Sequence, residues 1–208
     1  ICTNGAQWTG TTLTGGTMRV SHVDALGDTA GDPVSVTNAT VEINGVAMAK
    51  PGFTCNGGAT LIGIGVASVT RNLILVTGGT TTLGYSSATD VFTVSGGGFI
   101  GTSPLGQGSL VIAGAVGTVG GKVILSGNNI LWKDGNLTVQ QYATLELVSN
   151  GNPRYPMGID GGTGTVTVAS DATLIATCND TSNTTVYRSF SIAGDGVDGL
   201  GALIGVNN

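Results

Sequence analysis

Charge is scarce in this sequence: Asp, Glu, Lys and Arg make up 9% of its 208 residues, against roughly 25% in an ordinary globular domain. Aromatic residues are equally thin at 5%, and there are only 5 prolines. So little charge beside 40% hydrophobic residues excludes intrinsic disorder. The dearth of proline excludes collagen, since the 37 glycines also keep no three-residue period. Long apolar runs are missing as well. The longest nearly uncharged one, Leu61 to Val69, is broken by glycine and falls short of the about 20 residues that span a bilayer. No positively charged start followed by an apolar segment is present, so a secretion signal is expected to have been removed or never to have belonged to this sequence. Basic residues number 7 against 12 acidic ones, a net charge of −5 with no basic stripe, which argues against nucleic acid and anionic membranes as partners.

Chemistry-bearing residues are few. Three cysteines (Cys2, Cys55, Cys178) without a C-x-x-C pair argue against zinc. Their odd number leaves at least one thiol free, buried or bonded to another chain, and Cys2, at the start, is the candidate for an inter-chain disulfide. The two glutamates, Glu42 and Glu146, each follow an Ala-Thr-Val/Leu marker by one residue. Both are therefore expected on the outer face of equivalent strands, about five turns or roughly 24 Å apart, too far to act on one glycosidic bond. His22 stands beside Asp24 with no G-x-S-x-G nucleophile motif in the chain. Asp195 and Asp198, in Gly-Asp-Gly-Val-Asp-Gly, and Asp24, Asp28 and Asp32 are the closest acids. Either group offers candidate oxygen ligands for Ca²⁺, Asp195 and Asp198 first, with turn aspartates as the plainer reading and no EF-hand or nonapeptide repeat to support a metal. No catalytic residue and no cofactor site is expected.

What the chain does have is repetition. Val34-Ser35-Val36 precedes Ala39-Thr40-Val41-Glu42-Ile43, and Phe53-Thr54-Cys55 precedes Ala59-Thr60-Leu61. Leu137-Thr138-Val139 precedes Ala143-Thr144-Leu145-Glu146-Leu147, and Val166-Thr167-Val168 precedes Ala172-Thr173-Leu174. Looser copies surround Thr17 and Thr80, and strand-like runs at 91–94, 110–112 and 122–125 fill the long interval before Thr144. A period near 20 to 25 residues without an amphipathic helix predicts one β-solenoid turn per repeat. The fold expected is all-β, a parallel β-helix of about eight to nine turns, roughly 40 Å tall, forming one domain over 1–208; the alternative is a β-sandwich. Cys55 aligns with Val36 and is expected in the core; Cys178, in alternation after Leu174 and Ala176, is also placed inward.

Several of these segments resemble a known family. Trp8-Thr9-Gly10-Thr11-Thr12-Leu13-Thr14-Gly15-Gly16-Thr17-Met18-Arg19-Val20 with Asp24-Ala25-Leu26-Gly27 is similar to the autotransporter-associated β-strand repeat. Val34 to Gly45 resembles its next strand pair. Gly108 to Gly114, Lys122 to Asn129 and Trp132 to Leu147 form a second copy, and Ser191 to Leu203 is similar to solenoid sequence of such proteins. Cys55, Asn150 to Pro156 and Cys178 to Arg188 depart from the pattern. The resemblance implies a right-handed parallel β-helix, secreted or displayed on a bacterial surface as stalk, adhesin or passenger scaffold.

The repeat pattern runs from Thr9 to Ile204 without a capping helix, which predicts a segment of a longer solenoid or a subunit that stacks end to end. The leading expectation is a structural extracellular solenoid whose partners are copies of itself, head to tail, in a filament, sheath or stalk. The alternative is an adhesin that binds a matrix or host glycan or protein through loops carrying Arg154, Tyr155 and Arg188. A polysaccharide-active enzyme ranks third.

Overall fold

The computed structural model describes residues 10–26, 33–49, 52–70, 73–75, 79–95, 108–115, 120–126, 135–149, 163–178 and 189–207, with backbone alone at 73–75, 149, 178 and 207. The described strands fall into eight successive coils. The first holds β1 (Thr12–Thr14) and β2 (Thr17–Val20); the second holds β3 (Val34–Thr37), β4 (Thr40–Asn44) and β5 (Ala47–Met48). The third holds β6 (Phe53–Cys55), β7 (Ala59–Ile64) and β8 (Val66–Val69), and the fourth β9 (Leu73–Leu75), β10 (Thr80–Tyr85) and β11 (Val91–Val94). Each later coil contributes two described strands: β12 (Ser109–Ala113) and β13 (Lys122–Ser126), then β14 (Leu137–Val139) and β15 (Thr144–Ser149). β16 (Thr165–Val168) and β17 (Thr173–Cys178) follow, then β18 (Ser189–Ile192) and β19 (Leu203–Asn207) with a 3-10 turn, Val197–Gly199, between them.

Strands from successive coils stack into three sheets: sheet A in the order β1-β3-β6-β9, sheet B from β18 to β2 with eight strands, and sheet C from β19 to β5 with seven. Every pairing is parallel. This is the expected parallel β-helix. Alternation builds it: Val34 and Val36, Val41 and Ile43, Leu137 and Val139 are buried while Ser35, Glu42 and Thr138 face outward. One repeat cannot bury its own apolar face, so the inward residues of all coils merge into one continuous core. At Gly63 the alternation calls for an inward side chain. A Cβ there would come 2.4 Å from that of Phe92, so the glycine leaves the room that Phe92 fills.

Register places Thr17, Thr40, Thr60, Thr82, Val111, Thr138, Thr167 and Ser191 side by side along sheet B, so its steps are 23, 20, 22, 29, 27, 29 and 24 residues. The sequence markers are thereby corrected. Thr82, not Thr80, is the neighbour of Thr60, and Thr144 and Thr173 pair with each other in sheet C. Two coils separate the Thr80 region from Thr144, so the runs at 91–94, 110–112 and 122–125 are not one coil each: 91–94 completes the fourth coil, and 110–112 and 122–125 share the fifth.

Corners explain why the same motif sits in two places. Asn38, Gly58, Tyr142 and Asp171 all have positive φ, and each immediately precedes the alanine of an Ala-Thr marker. Ala59, Ala143 and Ala172 each donate a backbone N–H to the carbonyl three residues back (Asn56, Gln140, Ala169). A positive φ at the third position of such a turn is the mark of type II geometry. The small alanine then starts the next strand inside the core. This turn joins sheet A to sheet B in the third coil, and sheet B to sheet C in the sixth and seventh. In the second and third coils the B-to-C corner is a single left-handed glycine, Gly45 or Gly65.

Candidate functional site

Three places concentrate polar or exposed chemistry: the acidic corner of the last coils, the buried corner of the fourth and fifth, and the last described coil.

Of the acids singled out in the sequence, Asp195 and Asp198 do come together with a third, Asp171. They line a half-open cavity of about 220 Å³ whose other walls are Tyr142, Gly196, Val197 and Gly199. Asp171 accepts a hydrogen bond from Gln141 Nε2 at 3.0 Å. Among the described residues no three His, Cys, Asp or Glu side chains are grouped closely enough to hold a metal ion. Neighbouring polar groups serve the fold: Thr173 Oγ1 accepts from the Val197 N–H at 2.9 Å and donates to the Gly201 carbonyl at 3.3 Å.

Glu42 and Glu146 both point outward, but they lie in different sheets, β4 of sheet B and β15 of sheet C, four coils apart. Glu42 accepts from Arg19 Nε at 2.7 Å on an exposed face. Glu146 is held by Lys122 Nζ at 2.7 Å and by Thr177 Oγ1 at 3.1 Å, which ties three strands of sheet C together. Among the described residues neither glutamate stands beside a second carboxylate on a neighbouring strand. His22 and Asp24 are exposed, and His22 Nδ1 accepts the Asp24 backbone N–H at 3.2 Å. Cys55 is buried beside Val36, as its alignment predicts, and burial pushes its thiol up to about 12. Cys178 pairs through its backbone with Ser149 and Asn207, and its side chain lies outside the described residues. Cys2, Arg154, Tyr155, Arg188, Asp28 and Asp32 also lie outside them, as do Trp8 and Trp132.

Two residues with no place in the sequence reading turn out to hold the middle of the molecule. Asp90 is only 3% exposed. Its carboxylate accepts from the backbone N–H groups of Gly65 (2.7 Å), Ser86 (3.0 Å) and Ser87 (2.7 Å) and from Ser86 Oγ (2.9 Å). Burial acts to raise its pKa, but these hydrogen bonds outweigh it and hold the carboxyl below its ordinary value. Tyr85 is buried, and burial, the largest influence, pushes its phenol up. Its hydroxyl donates to the Tyr142 carbonyl at 2.9 Å and accepts from the Thr144 N–H at 3.2 Å. It therefore reaches from the fourth coil to the sixth. Gly114 and Gly121 of the fifth coil make way: a Cβ on Gly114 would come 2.8 Å from the Tyr85 hydroxyl, and one on Gly121 would come 2.4 Å from its ring. The Ser86-Ser87-Ala88-Thr89-Asp90 run was the one local signal for the Asp90 turn; Tyr85 has none.

The third place is the last described coil. Phe190 and Ile192 stand in register with the buried Val166 and Val168, and Leu203 with the buried Leu174. They carry the core's inner positions into the last coil, yet they are 36%, 43% and 49% exposed. Among the described residues β18 pairs only with β16, and β19 only with β17. No helix among the described residues is long and apolar enough to cross a membrane. Compared with family models, curated proteins and solved structures, the chain matches none of them.

Proposed function

We propose that this chain is a structural, non-catalytic β-solenoid that self-associates end to end into a filament, sheath or stalk on the surface of a bacterium. The single observation that carries the reading is the stack itself, in which the described strands of eight coils pair in parallel around one shared core and each coil is completed by the coils beside it. An open parallel edge with a row of apolar side chains is a template for another strand, and a head-to-tail contact that does not close into a ring propagates as a fibre. Low charge supports the same reading, since little repulsion opposes close packing of copies. The outward carboxylates Glu42 and Glu146, separate and each tied to a cation, support a scaffold rather than a hydrolase. The surface location is supported by the resemblance of Trp8 to Gly27 to repeats of displayed proteins.

Negative-stain electron microscopy and sedimentation velocity over a hundredfold range of concentration test the proposal. Unbranched fibres and a concentration-dependent sedimentation coefficient are expected. Discrete short rods at every concentration would overturn it. A reductant arm reports on the odd cysteine: loss of the fibres in reductant shows an inter-chain bond, and the same loss in Cys2→Ser assigns it to Cys2.

A further inference from the structure

We draw no further inference here: the strongest candidate, the outward stripe of Thr40, Thr60, Thr82, Val111, Thr138 and Thr167 along sheet B, is a row of small side chains on an unpartnered face, and nothing in the structure shows what covers it.

Discussion

The corner from sheet B to sheet C is built differently at the two ends of the molecule. In the second and third coils it is one left-handed glycine, Gly45 or Gly65; in the sixth and seventh it is a turn that ends in Tyr142-Ala143 or Asp171-Ala172. Stacked coils of one kind satisfy each other through backbone alone: the Gly45 N–H bonds the Ile64 carbonyl of the next coil, and the Tyr142 N–H bonds the carbonyl of Asp171. Between the two kinds the backbones no longer match, and side chains take over. Gly65, which faces the wider fourth coil, gives its N–H to the Asp90 carboxylate. The Tyr142 carbonyl and the Thr144 N–H, facing the fifth coil, meet the Tyr85 hydroxyl instead. A buried backbone group must find a partner somewhere. A change of corner in a solenoid thus requires polar side chains in its interior.

The largest effect is expected where that replacement is removed. Asp90→Ala leaves three backbone donors without their acceptor and should lower stability by about 3 kcal/mol, read from urea unfolding followed by circular dichroism. Asp171→Ala, at the regular corner, should cost far less; equal losses would break the distinction. The Asp90 contribution also has a pH signature. Its folded pKa is depressed, so the stabilisation is present above about pH 4, the ordinary carboxylate value, and is lost as the pH falls through the folded value. Asp90→Asn should flatten the acid limb of a stability profile measured from pH 7 to pH 2.

A middle effect of about 2 kcal/mol is expected from Gly121→Ala, because the new methyl would overlap the Tyr85 ring and the Ser87 carbonyl. Tyr85→Phe keeps the ring and strips the Tyr142 carbonyl and Thr144 N–H of their partner, an expected loss of about 1–2 kcal/mol. Thermal melts of the two variants and their combination sharpen the picture: residues in contact should not be additive. The smallest effect belongs to the tight corners. At Gly45 and Gly65 a Cβ meets nothing within 4 Å, so alanine there costs only the left-handed backbone, about 1 kcal/mol. At Tyr142, already left-handed with a full side chain, glycine should relieve strain of similar size.

Much of the fold was legible in the sequence because alternation and spacing are local. Val34-Ser35-Val36 and Leu137-Thr138-Val139 name their inner and outer faces, and Cys55 takes the place of Val36 as the repeat predicts. The sheet to which a repeat belongs was not legible. Ala-Thr marks a left-handed residue followed by a small one entering the core, and that chemistry suits any corner; Thr40 and Thr144 share it on different sheets. The carboxylate at Asp90 and the hydroxyl at Tyr85 escaped for a different reason. Their partners stand up to 25 and 59 residues away, brought close only by stacking. Of the candidate sites, the gathering of Asp195 with Asp198 was visible from their spacing, but Asp171 joins them from the coil before.

The reach of Tyr85 bears on how such a rod responds to force. Coils held only to their neighbours peel away one at a time from a pulled end. A hydroxyl that skips the fifth coil and grips the sixth prevents that sequence at one point, because the fifth cannot leave while both its neighbours are bolted together over Gly114. Coils four to six should therefore release as one event of roughly threefold extension in a stretching trace, and Tyr85→Phe should split that event into single steps.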